Sequence, residues 1–525
     1  MGGLAVRIVA WLAVIAALVL SLIWPMILGR SPIYFYDSPI YLFGGGSALA
    51  VLGIETPYVE AYQIADAGVD VPTESEPASE TGAAPGAQSQ SPAEPYSEGG
   101  STGLGADDDY EVTMARSPYY GIFLAIAGWM HNLFLAAYVQ VALVLVSGFF
   151  LLRAVFRERL LMPAALLVPL GFITPLGIMT VLLLPDILAG LGILAVVVPF
   201  IFASRLTTLD RVFWFVLLAS AVLVHNSHLA VALGLLVPLA LLARFVLRQP
   251  WLPGLLSVGG AIMIGIASIV AFQQAVKTVY GYKPLPLPMV AASVLLEEPG
   301  QRYLAETCPD NGFVYCTYRA QRPGYVDQWL WAPDSFEGVY ADRDRATKRQ
   351  MSEQQWSLLF SVLAHDPVGQ IYDMTANSLL QLVTVDIKFL AMNPQASGQL
   401  EGSLPPRDLE PFLASTHYER AFPMATLGAV FAALALPAAV LAVLAVGWLA
   451  TRPHGPPMGQ ASSMPPAREM AAFGLALIAG VVLNAGVMGA FSQVQGRYEA
   501  RVIWLLALFL ALTAAWALRR RAADQ

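Results

Sequence analysis

Long runs of apolar residues recur along this chain and constrain its fold more than any other feature. Hydrophobic residues make up 57% of the 525 residues and charged residues only 13%, against about 25% charged in a typical soluble domain. A helix of about 20 apolar residues crosses a hydrocarbon layer roughly 30 Å thick. The runs therefore predict an all-α polytopic membrane protein with about ten transmembrane helices, at 4–28, 132–152, 162–184, 187–203, 212–224, 229–245, 254–275, 422–450, 470–490 and 502–518.

The first run, 4–28, begins close to the start of the chain and has two interpretations. A cleaved secretory signal has a shorter apolar core, and no small-x-small cleavage pattern follows Trp24-Pro25. We therefore interpret this run as a retained anchor, with a cleaved signal as the alternative.

The distribution of basic residues predicts how the chain is oriented. Lys and Arg collect in cytoplasmic loops near the ends of spans. If the N-terminus is cytoplasmic, the short outside connections near Asp186 and His225 carry no Lys or Arg. This pattern predicts cytoplasmic N- and C-termini, which we expect in a bacterial inner (plasma) membrane. The five inside segments are all basic and contain Arg153, Arg157 and Arg159; Arg205 and Arg211; Arg244 and Arg248; Arg452 and Arg468; and Arg519, Arg520 and Arg521.

This orientation divides the chain into five parts with two large outer regions. The stretch 71–109 is acidic and rich in Ser, Pro, Gly and Ala, a composition that buries too little apolar area to become ordered. We expect it to be a disordered insertion. Amphipathic patterns elsewhere in the outer regions predict juxtamembrane helices on the outer face. The parts are the first anchor (1–30), the first outer loop (31–118), spans two to seven (119–276), the second outer region (277–419) and spans eight to ten (420–525).

The only two cysteines, Cys308 and Cys316, lie eight positions apart in the second outer region. Outside the cytoplasm such a pair is most simply a disulfide that closes a small loop. A metal site would require two more ligands close by, and the sequence has none there. The pair therefore predicts a disulfide, which also fits the orientation.

Two carboxylates stand at predicted outer membrane boundaries, where an ionisable group is costly and suggests a function. Asp37 follows the first span within the aromatic stretch Tyr34–Tyr41, and Asp186 follows Pro185 between the third and fourth spans. Each residue fits a helix N-cap, which is the structural alternative. The functional alternative for Asp37 is a general base whose pKa is adjusted by partial burial.

Arg497 and Arg501 open the last span and lie one helical turn apart. Such a pair forms a clamp for an anionic head group. The alternative is side chains that reach the interface and pair with Glu499. Because the charge rule disfavours Arg on the outer side, we favour a functional role.

Other basic residues are weaker candidates for binding a lipid phosphate. His225 and His228 lie on one helix face and could hold a phosphate, a metal or water, with a solvated helix cap as the alternative. Arg116 and Lys277 could meet a phosphate at the interface, with plain interfacial charge as the alternative. Whether the carboxylates and histidines hold a divalent metal stays open, since no spacing demands one.

Four motifs, in this order, resemble the GT-C superfamily of membrane glycosyltransferases. The similar group uses polyprenyl-phosphate sugars and includes protein mannosyltransferases and aminoarabinose transferases. The resemblance covers the chain up to about Arg248 and the last span. The motifs are Tyr36-Asp37-Ser38-Pro39-Ile40-Tyr41, Arg116-Ser117-Pro118-Tyr119-Tyr120-Gly121-Ile122-Phe123-Leu124, Leu184-Pro185-Asp186-Ile187-Leu188-Ala189 and Gly496-Arg497-Tyr498.

The resemblance implies an inverting transfer of a sugar from a polyprenyl-phosphate donor to a hydroxyl of a glycan, lipid or protein. Asp37 would be the catalytic base, and Asp186 would orient the acceptor or a divalent metal. Arg497 and Arg501 would lie near the lipid phosphate. The chain departs from the family in the acidic insertion and in carrying His225 and His228 where many relatives have a lysine.

Two other functions remain alternatives. A transporter or flippase of the envelope could use Asp186, His225 and His228 as a proton relay, although no duplicated halves are recognisable. A non-catalytic assembly protein would use its outer segments to bind partners. A nucleic-acid partner is not expected, because the chain has no basic stripe.

Overall fold

The computed structural model describes residues 2–59, 114, 116–321, 323–452 and 464–524. The expected disordered insertion at 71–109 lies outside the described residues. Within them the secondary structure is helical, apart from an isolated parallel bridge between Ile33 and Leu182. The predicted all-α class is confirmed.

The first part of the described chain (2–280) and its second part (289–524) each contain both long apolar helices and shorter ones. The first part contains α1 (Gly2–Gly29), α2 (Asp37–Val51), α3 (Pro118–Met130), α4 (Leu133–Phe156), α5 (Leu161–Ala165), α6 (Leu170–Ile173), α7 (Leu176–Val181), α8 (Ile187–Ile201), α9 (Thr208–Val224), α10 (Asn226–Leu241, continued by a π-helical turn, Leu242–Leu247) and α11 (Leu252–Tyr280). The second contains α12 (Met289–Leu296), α13 (Glu298–Thr307), α14 (Val326–Trp331), α15 (Arg345–His365), α16 (Pro367–Val383), α17 (Pro394–Ser403), α18 (Pro406–Leu413), α19 (Met424–Ala450), α20 (Ala467–Phe491) and α21 (Gly496–Asp524).

Seven helices of the described chain are long and apolar enough to cross a membrane: α1, α4, α10 with its π-helical turn, α11, α19, α20 and α21. A polytopic membrane protein is therefore confirmed, but not the count of about ten. The predicted span 162–184 is divided into α5, α6 and α7, and Pro169 and Pro175 immediately precede the last two. Proline removes a helical hydrogen bond and interrupts a helix at such positions.

The fully buried helix α8 forms the centre of the bundle. Each of its residues, from Ile187 to Ile201, is buried, and α4, α9, α10, α11, α20 and α21 pack around it. A helix that is apolar on all sides is stable in such a position because no face has to meet water. Asp186 occupies the N-cap position of α8, but its side chain makes no capping hydrogen bond there. We call the end of the bundle at Asp186, where α1 ends and α4 begins, the outer end.

The segment 285–365 has a hydrophobic cluster of its own beyond the outer end, around Tyr315, Trp329 and Leu358. Cys308 and Cys316 are joined by a disulfide at its edge, as the sequence predicts.

Two contacts hold the described ends of the first outer loop. Tyr58 donates a hydrogen bond to a carboxylate oxygen of Asp408 at 2.7 Å, and the other oxygen accepts from the backbone N–H of Leu133 at 2.9 Å. The backbone N–H of Met114 donates to the carbonyl of Leu285 at 2.7 Å. Both ends are thereby attached to the second outer region.

Helices α2 and α3 cross at a distance that requires glycine. A Cβ atom placed on Gly45 would lie 2.0 Å from the carbonyl carbon of Gly121, and one on Gly121 would lie 2.2 Å from the carbonyl oxygen of Tyr41. Gly44, the adjacent residue, has no atom within 4 Å of such a position. The crossing also fixes the position of Asp37, the first residue of α2.

We expect the substitution Gly45→Ala to destabilise the protein by about 1–3 kcal/mol, since overpacking forces the two backbones apart. The control Gly44→Ala should leave stability unchanged or raise it by about 0.5–1 kcal/mol, because Ala favours a helix over Gly. Thermal unfolding of the purified protein in detergent measures both. Equal melting temperatures for the two variants would contradict the close crossing.

Candidate functional site

A small polar cavity of about 60 Å³ lies at the outer end of the bundle. Five parts of the chain surround it: the segment after α1, the segment before α3, and the starts of α8, α10 and α21. The roof comes from the second outer region, through Leu287, Met289 and α14. The acidic, arginine and histidine residues of its lining are Asp37, Arg116, Asp186, His225, Asp327, Arg497 and Arg501.

A parallel bridge brings the two predicted carboxylates together. Ile33 pairs with Leu182, through a hydrogen bond from the Ile33 N–H to Val181 and one from the Leu183 N–H to Ile33. Asp37 and Asp186 each follow their bridged residue by four positions, so the two chains deliver them to the same cavity.

Asp37 is buried and held by a direct ion pair. An Nη of Arg116 lies 2.6 Å from its Oδ1. The turn before α2 is fixed by Ser38, whose hydroxyl accepts a hydrogen bond from the N–H of Phe35 and donates to the carbonyl of Leu183. Since Leu183 precedes Asp186 on the facing segment, this contact also fixes the two carboxylates relative to each other.

Arg497 lies between the two carboxylates. Its Nη1 is 3.9 Å from Oδ2 of Asp37, and its Nε is 3.7 Å from Oδ1 of Asp186. The guanidinium stands over the ring of Phe35 at 4.7 Å. At these separations the ion pairs are not hydrogen bonds, and neither nitrogen has a hydrogen-bond partner among the residues that the structure describes. Buried donors of this kind require an acceptor, which an anionic group would supply.

Arg501 is held by neutral groups one turn along α21. It donates to the side-chain oxygen of Asn484 at 2.9 Å and to the hydroxyl of Ser227 at 3.1 Å. The Ser227 hydroxyl is 2.8 Å from Nδ1 of His225. The charge of Arg501 therefore faces the cavity, and no carboxylate among the described residues is hydrogen-bonded to it.

The structure gathers most, but not all, of the predicted site residues. His228 lies behind His225, with ring centroids 5.1 Å apart and its Nδ1 2.9 Å from the carbonyl of Ala221, and it does not line the cavity. Lys277 is exposed near the end of α11 and does not line it either. The residues that do line it are Asp37, Arg116, Asp186, His225, Arg497 and Arg501.

Asp327 in the roof is a site residue that the sequence analysis missed. Its Oδ2 accepts a hydrogen bond from Gln493 at 2.6 Å. Burial raises the pKa of this carboxyl, and the nearby Asp37 raises it further, while Gln493, Arg116 and Arg497 oppose the shift. The only sequence signal was an acid between Val326 and Trp329, and it does not show that α14 folds over the membrane helices.

A second, apolar cavity of about 340 Å³ lies deeper in the bundle. Trp11, Leu22, Leu152, Leu194 and Leu508 are among the residues that line it, and they come from α1, α4, α8 and α21. Residues of α21 line both cavities, and Asp186, which lines the polar cavity, immediately precedes α8, which lines the apolar one. The ring of Trp504 lines the apolar cavity and donates a hydrogen bond to the carbonyl of Arg501, so the cavities are adjacent along α21.

Across the described ranges, no group of three or more His, Cys, Asp or Glu side chains is arranged to hold a metal ion. Comparisons with known proteins find no match: no protein family, no curated protein and no solved structure matches this chain. The fold and site define a polytopic α-helical membrane protein with a buried, charged cavity at one end of its bundle.

We expect Arg497→Gln to destabilise the protein by about 3 kcal/mol, because it leaves two buried carboxylates without their shared counter-charge. Combining it with Asp186→Asn should recover part of this loss, which thermal unfolding in detergent can measure. Lys277→Gln, at an exposed lysine outside the cavity, is the control and should have no effect. A double variant less stable than Arg497→Gln alone would show that the two residues do not interact.

Proposed function

We propose that the protein is an inverting glycosyltransferase that moves a sugar from a polyprenyl-phosphate donor to an acceptor hydroxyl on the outer face of the membrane. The observation that carries this proposal is the position of Arg497. It lies between two buried carboxylates, and two of its donor nitrogens have no hydrogen-bond partner in the described part of the chain. A carboxylate next to an open cationic site suits a reaction that removes a proton and releases a phosphate.

The basic residues would bind the donor phosphate. In the transfer the bond between the anomeric carbon and the phosphate oxygen breaks, and the phosphate leaves with the electron pair. Arg497 and Arg501 are fixed before the ligand arrives, Arg501 by Asn484 and Ser227. Charges that need no rearrangement stabilise developing negative charge most effectively.

Asp37 would act as the general base. The acceptor hydroxyl gives its proton to a carboxylate oxygen of Asp37 while its oxygen forms the new bond to the anomeric carbon, so a single displacement inverts that carbon. Arg116 holds the carboxylate by one oxygen and leaves the other towards Arg497 and the cavity. Asp186 would orient the acceptor from the opposite side. Positioned bases of this type contribute about 10²–10⁴-fold to a rate.

The apolar cavity supports a lipid-linked donor. It has about 340 Å³ of space in the bundle and lies next to the charged site along α21, where a prenyl chain could enter while its phosphate meets the arginines. The polar cavity of about 60 Å³ is smaller than usual ligand pockets of roughly 300–1,000 Å³. We expect the roof that carries Asp327 to move outward when a sugar enters.

The membrane placement is part of the proposal. We propose cytoplasmic termini in a bacterial inner membrane and ten crossings, with α5–α7, α8 and α9 added to the seven long helices. At 1.5 Å per residue, α8 and α9 are only about 22–26 Å long. Helix α8 is buried along its whole length, so it can be shorter than a helix surrounded by lipid, and α9 has one face packed against α8.

The substitution Asp37→Asn should lower transfer at least about 100-fold, because an amide cannot accept the proton. The assay follows a labelled sugar from a panel of polyprenyl-phosphate hexoses to an acceptor extract, with the full chain in vesicles. Glu298→Gln, which changes an exposed carboxylate outside the cavity, is the matched control and should retain full activity.

Thermal unfolding must show that the Asp37→Asn variant is folded. Normal transfer by that folded variant would contradict the proposed base. Movement of the lipid-linked sugar across the vesicle membrane without any transfer would support the transporter alternative instead.

A further inference from the structure

Helix α16 exposes apolar side chains and buries polar ones, which is the reverse of a helix on the surface of a soluble protein. Its large apolar residues are exposed, with exposed fractions between 53% and 79%. At 100° per residue they fall on one broad face of the helix. They are Val368, Ile371, Tyr372, Leu379, Leu380 and Val383.

The opposite face of α16 is polar and packed against the protein. Gln370 and Gln381 are buried. The amide of Asn377 donates to Glu297 at 2.7 Å, and the hydroxyl of Ser378 lies within 3.5 Å of the carbonyl of Gly486. A helix on a water-exposed surface shows the reverse arrangement, with its apolar face inward. Contact with water is therefore unfavourable for the exposed apolar face of α16.

The position of α16 beside α20 indicates that its exposed face contacts lipid. It packs along the outer part of the membrane-spanning helix α20 so closely that a Cβ atom on Gly489 would lie 2.5 Å from the carbonyl oxygen of Asn377. One turn before Gly486, Val482 of α20 is exposed and apolar. The apolar face of α16 thus continues the lipid-facing surface of a transmembrane helix.

A tryptophan marks the boundary of this surface. Trp356 of α15 is half exposed and packs near Phe491, the last residue of α20, with ring centroids 6.2 Å apart and ring planes tilted by 50°. Tryptophan is enriched where hydrocarbon meets the head groups.

We propose that α16 is embedded in the outer leaflet of the membrane, with its apolar face against lipid chains and its polar face against α20. The exposed apolar residues are what an interfacial helix buries in the head-group and acyl boundary. This element lies outside the seven long apolar helices and does not depend on the proposed transfer reaction.

The embedded helix also supports the site. The side-chain amide of Gln381 accepts from the backbone N–H of Gln495 at 2.8 Å and donates to its carbonyl at 3.0 Å. Just beyond α16, the backbone of Asp386 approaches Gly496 so closely that a Cβ there would lie 2.6 Å from a backbone nitrogen. Since Arg497 is the next residue, the position of α16 is connected to the position of Arg497 in the polar cavity.

Depth measurements with single cysteines test this proposal. The two native cysteines form a disulfide, so an introduced cysteine is the only free thiol. Tyr372→Cys and Leu379→Cys carry a fluorescent label in the full chain reconstituted in phosphatidylethanolamine–phosphatidylglycerol vesicles. Val482→Cys on α20 is the lipid-facing control, and Ser335→Cys, exposed in the outer region, is the aqueous control.

Lipids with brominated chains should quench the labels at positions 372 and 379 by about twofold or more, as at position 482, because an embedded apolar face meets acyl chains. The label at 335 should respond only to an aqueous quencher. Quenching of 372 and 379 by the aqueous quencher alone would overturn the proposal. Protection from both quenchers that is lost on diluting the protein in the membrane would also overturn it, and would identify a second copy as the cover.

Discussion

The charge pairing of Arg497 with Asp37 and Asp186 is the interaction on which the outer end of the bundle depends. It joins α2, α8 and α21, which are distant in sequence. A buried ion left without its partner costs several kcal/mol, so none of the three helices can move away alone. The same pairing places two carboxylates and a cation around one cavity. The contacts that hold the three helices together are therefore also the contacts that form the candidate site.

Sequence patterns predicted the parts of the structure that follow from the membrane itself. The apolar runs gave the helical class because only helices or closed barrels satisfy backbone hydrogen bonds in lipid. Counting crossings and basic loops placed Asp37, Asp186 and Arg497 on one side, and the structure brings these three together. The disulfide followed from the same orientation.

Other features depend on contacts that no local pattern records. Prolines at 169 and 175 divide an apolar run that otherwise had the length of a span. The register of Asp37 with Asp186 comes from the bridge between Ile33 and Leu182, which joins two separate segments. Asp327 reaches the cavity because the second outer region folds back over the bundle. Helix α16 has a visible amphipathic pattern, but the pattern does not state which face meets the protein.

The attachment of the first outer loop has a practical consequence. Tyr58 is held by Asp408, and Met114 is held by Leu285. Neither of these two contacts is made by a residue between Tyr58 and Met114, so we expect both contacts to persist when the number of residues in that interval changes. We expect this interval to be where homologous chains differ most in length, and to be a suitable position for inserting an affinity tag or a fluorescent domain.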